Sequence, residues 1–288
     1  MHNIVSRFAE SSPAVHVAPA GNFQIGGWTI TNAMLLGWIV TVLMIAGLVW
    51  AARRVKVHPR GGMVQYVEAG VTFVSDLVEN AFDDKRIGRK YVPFFVTLFF
   101  IILLNNWSEL IPGVGPLQVG EHPLLRPMTA DLNATLAMGL VTMVFVYIAS
   151  IRELGGFGKY IRHFFIGSPL NPLYLVIGLI EILTDLTRLL SLALRLFLNI
   201  TIGEIVISVF AFLGGMLAPA SILSPVTALP FTLLELGVGA LQAYIFIILA
   251  VNYLAIAVNH SQQHEEAHLT EDDPAETIKK TVKVSGVA

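Results

Sequence analysis

Residues 190–206 read LSLALRLFLNITIGEIV, an apolar stretch that carries Arg195, Asn199 and Glu204. A charged group at the centre of a bilayer costs about 2.5–3.5 kcal/mol to insert, so such groups are functional candidates by default. The longer apolar region 170–218 holds Glu181, Asp185, Arg188, Arg195 and Glu204. On a helix turning about 100° per residue, Glu181, Arg188 and Arg195 drift only about 20° per seven-residue step, and Asn199 stays within about 40° of Arg195. These four make one polar stripe. Asp185, four residues after Glu181 and three before Arg188, is placed to pair with Arg188, as a structural ion pair or as part of the stripe's chemistry. Glu204 is different: nine residues beyond Arg195 is half a turn away in direction and about 13.5 Å along the axis. It cannot neutralise Arg195 and must face another element. A candidate is the last apolar segment, LPFTLLELGVGALQAYIFIILAV, where Glu235 and Gln242 are seven apart and share a helical face.

Arg195 then has no carboxylate on its own face nearer than Glu181, about 21 Å along the axis. An arginine keeps its proton in a protein, so it relays none. A fixed, unpaired cation in a membrane implies a carboxylate from another chain or an anionic substrate. Titratable acids on either side of a permanent positive barrier describe a proton path interrupted in the middle. The alternative is a set of buried structural ion pairs.

The elements that must position these groups follow from composition. The 288-residue chain is 55% hydrophobic and 13% charged, against about 25% charged in ordinary globular proteins. Its mean hydropathy is +0.71. This predicts an all-α integral membrane protein of one domain. The net charge of −2 and the lack of a basic block argue against nucleic acid as a partner. No cysteine is present, which excludes disulfides, thiolate catalysis and cysteine-ligated metals. No phosphate loop, zinc signature or nucleophile constellation is found, so no cofactor is expected. The first 27 residues, with Glu10 and two prolines, do not read as a signal peptide. The first spanning helix is expected to be the first insertion signal.

Hydropathy marks spans at 28–52, 92–112 and 132–151, then long apolar regions at 170–218 and 225–258. A crossing needs about 20 residues, so 170–218 must tilt strongly, lie partly in the membrane plane or fold into a re-entrant pair. The segment 62–82 is amphipathic: Val64, Val67, Val71, Val74, Val78 and Phe82 recur at three and four. It reads as a helix at the membrane surface, the alternative being a packing helix inside the protein. The clusters Arg53/Arg54/Lys56/Arg60, Lys85/Arg86/Arg89/Lys90 and Arg152/Lys159/Arg162 are all cytoplasmic by the positive-inside rule. The N-terminal segment 1–27 is then outside and the charged tail 259–288 inside. The external loop 113–131 carries Glu121, His122 and Asp131 but only Arg126 as a strong cation. In the tail, His260, His264 and His268 share a helical face that could hold a metal; a solvated tail is the plainer reading.

At these residues the chain resembles subunit a of the F-type ATP synthase, the stator half of a proton-driven rotary motor. LRLFLNITIGE matches with its arginine at Arg195, asparagine at Asn199 and acid at Glu204; LQAYIF places the family's glutamine at Gln242. Glu235 falls where the family carries a histidine or glutamate partner of the Glu204 position, and Glu181 at an acid assigned to the cytoplasmic path. PMTADLNATLAMGL, 127–140, resembles the segment opening the helix after the external loop. The resemblance covers 60–258 and implies about five crossings plus one interfacial amphipathic helix. It implies a long oblique helix packed on a rotating c-ring of proteolipid hairpins, each bringing one mid-membrane acid past Arg195. The implied partners are that ring, peripheral stalk b-type subunits, lipid and protons, in a bacterial plasma (inner) membrane. The implied proton path runs through Glu204, Glu235, Gln242 and Asn199 from outside, and through Glu181 and Asp185 to the cytoplasm. A secondary transporter with an anionic substrate at Arg195 is the competing class; it predicts repeated halves with paired broken helices, and no such symmetry is found. Whether protons or sodium ions couple rests with the ring, which this sequence does not contain.

Overall fold

Thr31 caps the first membrane helix: its hydroxyl accepts a hydrogen bond from the Met34 amide at 3.2 Å, opening α1, Asn32–Ala52. The computed structural model describes residues 21–25, 28–54, 62–111, 114, 118–119, 122–153, 156, 172–217 and 223–272. An antiparallel hairpin, β1 (Gly21–Ile25) and β2 (Trp28–Thr31), precedes α1. Along α1 the buried residues Ala33, Leu36, Gly37, Val40 and Met44 recur every three or four, while Trp38, Val42, Leu43 and Ile45 are exposed. One stripe meets protein; the rest suits lipid, which is as apolar as leucine. At the far end the Arg54 guanidinium lies 4.6 Å from the centre of the Trp50 ring.

The amphipathic segment forms α2, Met63–Asn80, and returns through a short turn into α3, Lys85–Ser108. The two run antiparallel. Glu79 pairs with Arg89 at 3.1 Å, Phe82 stacks on Tyr91, and Phe73 meets Phe99. Gly70 lets Phe100 approach so closely that an added Cβ would sit 3.0 Å from its ring. The valine stripe is therefore covered by protein, with Val74 and Val78 fully buried. Two-residue strands β3 (Gln118–Val119) and β4 (His122–Pro123) and a 3-10 turn, Met128–Ala130, lead into α4, Leu132–Glu153. Asp131 caps that helix, accepting from the Asn133 amide at 2.9 Å. Phe145 of α4 stacks flat on Phe94 of α3, centroids 3.5 Å apart. At the charged end Glu153 takes hydrogen bonds from Lys90 Nζ at 3.1 Å and the Tyr91 hydroxyl at 2.8 Å.

The region whose length left three arrangements open is one unbroken helix, α5, Pro172–Leu217. At 1.5 Å per residue it is about 69 Å long, more than twice a bilayer core of about 30 Å, so an oblique path follows. The last helix, α6, spans Leu223–Asp272. It returns antiparallel beside α5 with each step along one matched by a step back along the other. Ser224 Oγ donates to the Ala211 carbonyl at 2.7 Å and Thr227 Oγ1 to that of Phe210 at 2.8 Å. Phe231 stacks on Phe210, Glu235 lies against Gly203, and Tyr253 lies beneath Arg188. Among the described residues, five stretches are long and apolar enough to cross a membrane: α1, α3, α4, Leu183–Gly215 of α5 and Ser224–Asn259 of α6. This is an all-α membrane fold, with α2 as the sixth, amphipathic helix.

Candidate functional site

The α5–α6 hairpin brings Arg195 and Asn199 of α5 together with Gln242 of α6. With Ser191, Leu194 and Leu198 they line an open groove of about 490 Å³. Arg195 is exposed and makes no hydrogen bond or ion pair among the described residues. Its flank is apolar: Leu190, Leu194 and Leu198 are exposed on the same side, while Leu192 and Leu196 are packed against the protein. Asn199 Nδ2 and Gln242 Nε2 are buried without a hydrogen-bond partner among the described residues. Such groups are rare in native proteins, and each asks for a reason.

Glu204 faces away from Arg195, as nine residues of helix require. Its partner is one the sequence reading missed: Arg126 Nη2 donates to Glu204 Oε2 at 3.4 Å. Arg126 is only 2% exposed, and its Nε and Nη1 have no hydrogen-bond partner among the described residues. It comes from the loop before α4, held by the following 3-10 turn, whose Met128 packs so tightly on Gly37 that an added Cβ there would lie 2.6 Å from Sδ. Glu235 reaches the same place from α6. Its carboxyl presses on Gly203, where a Cβ would lie 2.3 Å from Oε2. Only glycine leaves that room.

A third acid completes the cluster. Glu109, just past the end of α3, buries both carboxylate oxygens without a hydrogen-bond partner, within electrostatic range of Glu204, Glu235 and Arg126. The end of α3 is pinned there by Asn106 Nδ2 to the Gly239 carbonyl and Trp107 Nε1 to that of Leu236, both at 3.0 Å. The available signal was that Glu109 is the one acid within the 92–112 span. Arg126 had been counted only as a loop charge.

Asp185 sits elsewhere. Arg188 Nη1 donates to it at 3.0 Å, the Tyr147 hydroxyl of α4 hydrogen-bonds its other oxygen, and the Arg188 guanidinium lies 4.8 Å from the Tyr253 ring centre. This ties α4, α5 and α6 together nearer the charged helix ends. Glu181 falls within α5, and His260, His264 and His268 on the last turns of α6, but their side chains lie outside the described residues. Among the described residues no three His, Asp or Glu side chains are placed so that they could hold a metal ion together.

The fold and site thus define a helical integral membrane protein with buried acids on one side of an open, unpaired arginine. A family model described as ATP synthase A chain matches residues 34–255. ATP synthase subunit a of Moorella thermoacetica is 33% identical over 241 residues, which is 83% of this chain and 96% of that protein. The chain belongs to the ATP synthase A chain family. That places it in the membrane sector of the F-type ATP synthase, in the proton-translocating stator.

Proposed function

We propose that the chain carries protons through two offset half-paths kept apart by Arg195. Protons enter from outside through the cluster of Glu109, Glu204 and Glu235, pass Asn199 and Gln242, and reach a carboxylate presented by a rotating ring of proteolipid subunits. After nearly a full turn each proton leaves toward the cytoplasm past Asp185 and Glu181. The N-terminus lies outside, the tail inside, and the membrane is the bacterial plasma membrane. Peripheral stalk subunits hold the chain against the turning ring.

The observation that carries this reading is Arg195 itself, exposed beside an apolar helix face with no acid of its own. A cation so placed in a membrane needs a carboxylate from a partner, and an arriving acid ionises more readily beside it. A proton crossing about 100 mV releases about 2.3 kcal/mol, so several must pass for each ATP made. The test is ATP synthesis in vesicles holding the assembled complex. Arg195→Ala should abolish it and open a passive proton leak. Arg195→Lys should fail largely, since lysine can give up its proton and lacks the planar fork. Full coupled synthesis by the lysine variant would refute the barrier.

A further inference from the structure

Arg126 and Glu204 form an ion pair at this cluster, and Glu109 lies within electrostatic range of both and of Glu235. We propose that Arg126 is a positioning residue of the entry path, holding Glu204 as the aimed, charged acceptor between Glu109 and Glu235. This rests on the entry reading above and adds a loop residue to it.

The geometry is specific. Arg126 is 2% exposed, and a buried cation stays there only with compensation. It gives one arm to Glu204 at 3.4 Å and leaves Nε and Nη1 without a hydrogen-bond partner among the described residues. A purely structural arginine would be expected to spend its fork on backbone carbonyls or one bidentate acid. Here the unspent donors lie within electrostatic range of Glu109, both of whose oxygens also have no hydrogen-bond partner among the described residues, as has Oε1 of Glu235, itself in range of Glu109. Full ionisation of all three acids against one arginine would leave two uncompensated charges in a buried place, which is costly. One acid paired as a carboxylate and two able to hold protons is the arrangement the single guanidinium balances. A proton handed from Glu109 to Glu204 leaves Glu109 charged in its place, so the count of charges is unchanged by each step.

No other ionisable side chain intrudes among the described residues. The α1 helix contains none, and those of α4 are Tyr147, Arg152 and Glu153 in its second half. From α3 comes Glu109, from α5 Glu204 and from α6 Glu235; Asp131 is occupied in capping α4.

The test uses the assembled synthase in sealed vesicles, with ATP synthesis followed against external pH at fixed internal pH and membrane potential. Removing a cation beside a proton acceptor makes the acceptor hold its proton more tightly. Arg126→Gln should therefore move the half-maximal external pH upward by about one unit or more and lower the plateau, because release to the ring slows. Arg126→Lys should keep the parental half-point. In the double variant Arg126→Gln/Glu204→Gln, rate and half-point should match Glu204→Gln alone, since Arg126 acts through Glu204. A lowered plateau with an unmoved half-point in Arg126→Gln would overturn the proposal, as would parental behaviour. If Arg126→Gln does not assemble alone, the double variant decides: a loss beyond Glu204→Gln overturns it. Impairment by Glu204→Gln with an indifferent Arg126→Gln would remove Arg126 and keep the entry path; parental rates in both Glu204→Gln and Glu235→Gln would remove the entry path itself.

Discussion

Gly203 shows how closely the Glu235 carboxyl approaches the backbone of α5. The Glu235 carboxyl occupies the space a side chain at 203 would need, one residue before Glu204. Gly203→Ala should push the Glu235 carboxyl, the far end of a flexible side chain, away from the cluster at little cost in stability. We expect ATP synthesis in assembled complexes to drop about tenfold or more, the factor that about 1.4 kcal/mol imposes on a step. Synthesis at the parental rate in vesicles would mean that Glu235 need not stand where it does. Arg195 and Glu204 were legible in the sequence because a charge in an apolar helix is conspicuous and helical spacing states which way it points. The Arg126–Glu204 contact was not, because its members are 78 residues apart and meet only through tertiary packing. Glu109 escaped for another reason: at the end of a span an acid looks like a boundary.

At the scale of elements, the proposed separation of the two paths falls to α5. Glu181 and Glu204 are about 35 Å apart along it, with Arg195 between them. Leu192 and Leu196, flanking the arginine, are buried at 2% and 0% exposure. Since the chain has no cysteine, single thiols report cleanly, and thiolates react only where water reaches them. A cysteine at 204 should react with a membrane-impermeant reagent from outside and one at 181 only from the cytoplasmic side. Cysteines at 192 and 196 should resist both. Labelling of position 181 from outside, in sealed right-side-out vesicles, would reveal one continuous channel and end the two-path account. The length of region 170–218 announced that it could not stand upright; that it is one helix required the partner face of α6. The valine stripe of α2 was equally legible, but what covers it was not. A lipid face and a protein face reward the same apolar spacing, and here α3 takes it.

Seen whole, the molecule has two kinds of apolar surface. On α1 the exposed residues carry no charge among them; on α5 the exposed row Leu190, Leu194 and Leu198 runs beside Arg195. Only the second offers a reason for a carboxylate-bearing partner to dock. A cysteine at Leu190 or Leu198 should form disulfides with thiols placed on the outer helix of the ring subunit when the complex is oxidised. One at Val42 of α1 should not. Cross-links from Val42 alone, read by gel mobility and mass, would move the ring to the other side of the protein.

The antiparallel register of α5 and α6 also makes chain length itself a functional quantity. One residue inserted between Arg195 and Glu204 would turn everything beyond it by about 100° and advance it by about 1.5 Å. Every residue type would survive, yet Glu204 would swing off Arg126, Gly203 would leave Glu235, and the hydroxyls of Ser224 and Thr227 would meet the wrong carbonyls. A matching change in α6 would be needed to restore the pairing, and none could restore the half-turn that keeps Glu204 from Arg195. Inheritance can exchange side chains along this hairpin one at a time, but it cannot lengthen or shorten the hairpin that way.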